Sequence, residues 1–203
     1  YMGILGSGTP SPAVGDWSGD GNPDLVLEES WGILKFYHND GPSRWTPQAY
    51  GFPFDLNADT APALGDFNGD GKLDLLVGDL FGIVHEYTNI GSAANPAWQD
   101  DGELLRLPWI DHPHAYPTLA DIDGDGDLDL FIGEGGFQAQ KGAGGNIHYY
   151  RNDGSKTSPV WTSVGAIKDS AGNEIDVGSY ITPAFVDIDN DGDFDLFVGE
   201  YYG

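Results

Sequence analysis

Residues 183–199 read Pro-Ala-Phe-Val-Asp-Ile-Asp-Asn-Asp-Gly-Asp-Phe-Asp-Leu-Phe-Val-Gly. Acidic side chains stand at Asp187, Asp189, Asp191, Asp193 and Asp195, with Gly192 among them and the apolar run Leu196–Val198 immediately after. A chain that offers oxygens at alternate positions wraps a hard cation, and calcium takes roughly six to eight oxygens. Counted from Asp187, positions 1, 3, 5 and 9 supply side chains and position 7 a backbone carbonyl, so the predicted ligands are Asp187, Asp189, Asp191, Asp195 and the Asp193 carbonyl. Gly192 at position 6 permits the sharp turn that a side chain would obstruct.

The same pattern recurs three times upstream, in segments that align without a gap. The first loop offers Asp16, Ser18, Asp20 and Asp24 with the carbonyl of Asn22; the second offers Asp66, Asn68, Asp70 and Asp74 with that of Lys72. The third offers Asp121, Asp123, Asp125 and Asp129 with the carbonyl of Asp127. One such loop is weak evidence, whereas four in register predict about four structural Ca2+ ions. The first loop departs at Ser18 and Pro23, and its neutral Ser18 oxygen predicts the weakest affinity of the four. An EF-hand is excluded, because position 12 holds Leu27, Val77, Ile132 and Val198 inside apolar runs instead of a glutamate on a helix.

The first aspartates, Asp16, Asp66, Asp121 and Asp187, set periods of 50, 55 and 66 residues. After each of the first three loops comes a β-forming run, Ile33–Asn39, Ile83–Asn89 or Asn146–Asn152, that closes in an Asn-x-Gly turn. Trp45, Trp98 and Trp161 follow those turns in register and are predicted core residues. A fourth recurring element, Phe54-Asp55, Ile110-Asp111 and Ile175-Asp176, precedes the proline of the next loop. Each period thus holds about four short strands, no window shows a helical apolar pattern, and 31 Gly and 13 Pro punctuate the chain. The reading is all-β: residues 1–203 form about 3.5–4 blades of four antiparallel strands, a partial β-propeller within a larger or multi-chain array.

Eight Lys and Arg against 33 Asp and Glu give a formal charge of −25, which repels phosphate backbones and anionic lipid and so argues against nucleic acid and membrane insertion. Clustered carboxylates in that excess oppose compaction unless cations neutralise them. There is no Cys, hence no disulfide and no thiolate metal site. Tyr1 opens neither a Met start nor a signal peptide, and the N-terminus reads as a mature or excised end.

The run from Pro183 to Glu200, with the Gly-x-Ile-x-Tyr-Tyr-x-Asn pattern at Gly145–Asn152, resembles the FG-GAP/VCBS repeats of integrin α-subunit propellers and many bacterial secreted proteins. The resemblance covers nearly the whole chain. It implies a propeller of typically seven blades with calcium in a hairpin of each blade, an extracellular or cell-surface location, and a role in adhesion or assembly. It also implies a protein or glycan ligand on a surface or matrix. A lectin-like carbohydrate-binding module and the propeller of a polysaccharide-active enzyme are the alternatives. No catalytic signature occurs: there is no Gly-x-Ser-x-Gly, no phosphate-binding lysine loop and no His-Glu-x-x-His. Exposed aromatic rings stack on sugars, which singles out Trp31, Trp109 and Tyr116 as glycan contacts. His112 and His114 lack a third ligand for a transition metal, and His85 and His148 share the repeat position of Lys35 and read as blade geometry. The glycine-rich insertion at 135–145 carries Lys141 and is a candidate binding loop. An open array would expose strand edges, so self-association is expected.

Overall fold

Short runs of β-branched and aromatic residues alternate here with Gly, Asn and Asp turns, a pattern that closes antiparallel hairpins and leaves no room for helices. The computed structural model describes residues 11–29, 32–42, 44–48, 56, 59–92, 95–108, 113–135 and 145–200, and these residues contain fourteen strands and no α-helix. The first sheet is β1 (Pro12–Gly15), β2 (Asp24–Glu29), β3 (Ile33–Asn39) and β4 (Trp45–Gln48), hydrogen-bonded in that order. The second is β5 (Ala61–Gly65), β6 (Asp74–Gly78), β7 (Ile83–Asn89) and β8 (Trp98–Arg106); the third is β9 (Ala115–Ala120), β10 (Asp129–Glu134), β11 (Ile147–Asn152) and β12 (Trp161–Ala166). A fourth sheet holds β13 (Thr182–Val186) and β14 (Asp195–Gly199).

The register repeats with the sequence. Every acidic loop is the turn of the first hairpin, closed by the pairs Gly15↔Asp24, Gly65↔Asp74, Ala120↔Asp129 and Val186↔Asp195. Asn39, Asn89 and Asn152 pair with Trp45, Trp98 and Trp161, so the second recurring turn joins the third and fourth strands of each sheet. The expected four-stranded propeller blades are therefore present three times, followed by a two-stranded one.

Strands β6 and β10 are buried on both faces, which explains their continuous apolar runs. Leu75 and Val77 point into a cluster with Trp17, Val26 and Phe36 of the first sheet. Leu76 of the same strand points the other way, into a cluster with Leu130 and Ile132 of the third sheet. Phe131, in turn, joins Ile181 and the half-buried Phe185, Leu196 and Val198 beside the fourth sheet. Each sheet thus covers the face of the one before it, and the core is a series of seams between blades. Burying side chains of this kind stabilises by roughly 1.5–3 kcal/mol each. The first strands β1, β5, β9 and β13 neighbour one another in sequence and line a central cavity of about 570 Å³. Among the described residues no helix is long and apolar enough to cross a membrane.

The tryptophans need one correction. Trp98 and Trp161 are half-buried and pack on the preceding seam, Trp98 stacking on Phe36 at 5.7 Å between ring centroids. Trp45 is 38% exposed, because the surface its repeat position covers belongs to a preceding blade and the first sheet has none among the described residues. Ile175 and Asp176 lie in a connection instead of a strand, while Phe54-Asp55 and Ile110-Asp111 lie outside the described residues.

Candidate metal centres

The four hairpin loops are built by one set of hydrogen bonds. The position-1 carboxylate accepts from the position-6 glycine N–H at 2.8 Å in Asp16–Gly21 and 3.1 Å in Asp66–Gly71, Asp121–Gly126 and Asp187–Gly192. The position-5 carboxylate accepts from the position-7 N–H at 2.8–3.1 Å: Asp20–Asn22, Asp70–Lys72, Asp125–Asp127 and Asp191–Asp193. Turning the chain this tightly requires left-handed backbone at positions 4 and 6; position 6 is always Gly, and position 4 is Gly19, Gly69, Gly124 or Asn190. Asparagine is one of the few non-glycine residues that tolerate this conformation, which accounts for Asn190 at φ 61°.

Position 9 anchors each of the first three loops to its sheet. Asp24, Asp74 and Asp129 are buried, and each accepts from the backbone N–H of the asparagine ending the third strand: Asn39 at 2.9 Å, Asn89 at 2.9 Å and Asn152 at 2.8 Å. The asparagine side chain then accepts from the glycine of its own turn, at 3.1, 3.1 and 3.0 Å to Gly41, Gly91 and Gly154. One carboxylate therefore ties the acidic loop to the Asn-x-Gly turn across the blade. The repeated asparagine pointed to this turn, but its link to position 9 was not legible.

The arrangement brings the sequence-predicted ligands together. Carboxylate oxygens of Asp121, Asp123 and Asp125 lie within 4.8 Å of one another, as do those of Asp187, Asp189 and Asp195. Loops 1 and 2 carry Ser18 and Asn68 at position 3, so they gather fewer charges. Ser18 donates its N–H to Asp24 at 3.0 Å, and Asn68 donates its side-chain amide to Asp74 at 3.3 Å. Two lysines also attend loop 2: Lys72 pairs with Asp70 at 2.8 Å and reaches the Asn89 carbonyl, and Lys156 of the third sheet's turn stands 3.6 Å from Asp66. Neither lysine was singled out as a neutralising group, although Lys72 was predicted as a carbonyl ligand.

The electrostatics carry the mark of crowded acids. Burial, reinforced by the charges of Asp70 and Asp66, pushes Asp74 up to about 6. Burial also raises Asp129, and burial with the charges of Asp125, Asp129 and Asp123 raises Asp127. At Asp70 burial works upward, but hydrogen bonds from Lys72 and its charge outweigh it and hold the carboxyl below its ordinary range. Buried acceptor oxygens without any donor remain at Asp66 Oδ1, Asp74 Oδ2, Asp121 Oδ1 and Asp127 Oδ1. A buried polar atom is ordinarily satisfied, and an unsatisfied one costs about 1–3 kcal/mol.

A model of the FG-GAP-like repeat matches residues 16–77 and 121–198, which include all four loops. The chain belongs to the FG-GAP-like repeat family. No curated protein matches it. The family match and the strand topology agree: the matched stretches run from the first aspartate of a loop into the apolar strand that follows the last loop they contain.

The remaining sequence candidates divide. Tyr116 is half-buried in β9, stacks on His114 at 6.2 Å and lines the central cavity with Tyr180. Trp31, Trp109, His112 and the insertion at 136–144 with Lys141 lie outside the described residues. His114 is buried between Tyr116 and Tyr180. His85 and His148 face the buried acids Asp79 at 3.2 Å and Glu134 at 3.3 Å, one pair in each of two successive blades, as a shared repeat position requires.

Proposed function

We propose that this FG-GAP-like repeat protein is a calcium-stabilised extracellular propeller that presents its blades to a protein or glycan ligand in adhesion or surface assembly. The observation that carries the calcium reading is the set of donorless buried oxygens at Asp66, Asp74 and Asp121, which stand at ligand positions 1 and 9 of loops 2 and 3. These unpaired atoms are carboxylate oxygens in loops of alternating ligands, and a hard cation is the partner that fits them. Calcium would be held by positions 1, 3, 5 and 9 and the position-7 carbonyl of each loop, about four ions in all. Its contribution there is charge neutralisation, since the acids repel one another without it.

The extracellular reading rests on the family and on the ion. Loops of exposed oxygen ligands suit the higher calcium levels outside cells, where modules bind at roughly 10⁻⁴ to 10⁻³ M. A glycan as ligand is supported by one feature, the cavity between the first strands, where Tyr116 and Tyr180 bring aromatic rings beside Thr118 and Thr182. The first test is thermal unfolding of the chelator-stripped chain with and without calcium, followed by screening of the loaded protein on an oligosaccharide array. A large rise in Tm on adding calcium is expected; an unchanged Tm contradicts the stabilising role, and an empty array removes the glycan as ligand.

A further inference from the structure

Position 3 is Ser18 in loop 1 and an acid, Asp123 or Asp189, in loops 3 and 4, whereas loop 2 holds Asn68 followed by Gly69. This is the single Asn-Gly step in the sequence; the other nine asparagines precede Pro, Asp, Ala, Ile or Glu. The backbone nitrogen after an asparagine can close a five-membered ring on the side-chain Cγ. A following side chain hinders that approach, and glycine has none and turns its backbone freely.

The loop leaves the attacking nitrogen untied and engages the amide. Gly69 N–H makes no hydrogen bond among the described residues. By contrast, Gly71 in the same loop donates to Asp66 at 3.1 Å, and Gly19, at the same position 4 of loop 1, donates to Asp16 at 2.7 Å. Asn68 Oδ1 accepts from the Asp70 N–H at 2.9 Å, which draws electron density from Cγ, and Asn68 Nδ2 donates to Asp74 at 3.3 Å. Both ends of the amide are thus held in the loop with the nitrogen in the adjoining peptide, and a reaction within one chain needs no bimolecular encounter. Asn68 and Gly69 are half-buried in a loop whose next residue, Asp70, is exposed, so water has access to the ring once it forms.

We propose that Asn68 deamidates spontaneously, which makes loop 2 a modification site that acquires a position-3 carboxylate after synthesis. The Gly69 nitrogen attacks Asn68 Cγ; the N–Cγ bond forms as the Cγ–Nδ2 bond breaks, and ammonia leaves with the amide proton of Gly69. Water then opens the succinimide, at Cγ to give an aspartate or at the main-chain carbonyl to give an isoaspartate whose backbone is one methylene longer. The aspartate supplies acids at positions 1, 3 and 5, the set that in loop 3 places Asp121, Asp123 and Asp125 within 4.8 Å of one another. It also replaces the amide donor to Asp74 by an acceptor, so that two carboxylates oppose each other beside Asp66 and Asp70. Without a cation that is repulsion, and with one it is a further charged ligand. This consequence rests on the calcium reading proposed above; the covalent step does not.

The test is to incubate the freshly purified chain at neutral pH and follow every asparagine by peptide mass spectrometry, with electron-transfer fragmentation to separate aspartate from isoaspartate. Asn68 is expected to show the mass gain of an amide-to-acid change before any other asparagine does, with aspartate among the products. An Asn68 amide that persists while another asparagine converts, or while none does, overturns the proposal. Conversion to isoaspartate alone overturns the gain of a ligand. The Asn68→Asp variant reads the consequence: against the wild type it is expected to have a lower Tm in chelator and several-fold tighter binding at loop 2, measured by competition with a calcium indicator dye. Conversion of Asn68 in the wild type with no tighter binding in that variant upholds the covalent step and overturns the role of position 3 as a ligand.

Discussion

Loops 1 and 2 carry three carboxylates each among positions 1 to 9, and loops 3 and 4 carry five each, on the same backbone. The first pair offsets its acids from within the protein: Ser18 and Asn68 replace a charge, and Lys72 and Lys156 stand on loop 2. The second pair has no lysine or arginine among its loop residues and gathers two trios of carboxylates within 4.8 Å. A repeat can therefore keep one fold while the demand for a cation changes between its copies. Affinity for calcium rises with ligand charge. On the proposed calcium reading, loops 3 and 4 would be the tight sites and loops 1 and 2 the weak ones.

The largest effect that sharpens this comparison is expected from position 9. Asp129 uses both oxygens on the protein, taking the Asn152 N–H at 2.8 Å and the Tyr149 hydroxyl at 3.2 Å, while Asp74 leaves Oδ2 without a donor. In calcium, both Asp129→Asn and Asp74→Asn are expected to exchange a charged ligand for a neutral one and lose roughly 2–3 kcal/mol of stability by chemical denaturation. After chelation the two are expected to part. Asp74→Asn then costs little, because it removes a buried charge crowded by Asp66 and Asp70, whereas Asp129→Asn still disturbs the Tyr149 contact. Equal costs in chelator would break the distinction.

A smaller effect separates the loops at position 4. Gly69 lies under the third sheet's turn, with Thr157 2.7 Å from where a Cβ would sit, while nothing lies within 4 Å at Gly124. Gly124→Asn is expected to be near neutral in Tm, since Asn190 already occupies that position in loop 4. Gly69→Asn is expected to lower stability by about 1–3 kcal/mol through crowding. The smallest effect is that of the exposed Lys156, whose ion pair with Asp66 is worth no more than about 1 kcal/mol. Lys156→Met is expected to tighten calcium at loop 2 a few-fold, read by competition with a calcium indicator dye, with little change in Tm.

Much of this was legible in the sequence. Ligand spacing identified the loops, the glycine at position 6 fixed their turn, and the Asn-x-Gly steps placed the third strand of each blade. Periodicity states which residues are equivalent but not what each copy has for a neighbour. For that reason Trp45, equivalent to Trp98 and Trp161, was expected in the core and stands exposed. Lys156 reaching Asp66 and Thr157 covering Gly69 come from a different blade, so no local pattern announces them. The acid–histidine pairs Asp79–His85 and Glu134–His148 were half visible: the histidines were seen to share a register, but the acids opposite them were not.

The most direct measurement is a calorimetric titration of the chelator-stripped chain with calcium. The account predicts about four ions in two classes, a tight pair lost from the isotherm in an Asp121→Asn, Asp187→Asn double variant and a weaker pair that survives it. A single class unaffected by those substitutions, or no heat of binding with the fold unchanged, would contradict it.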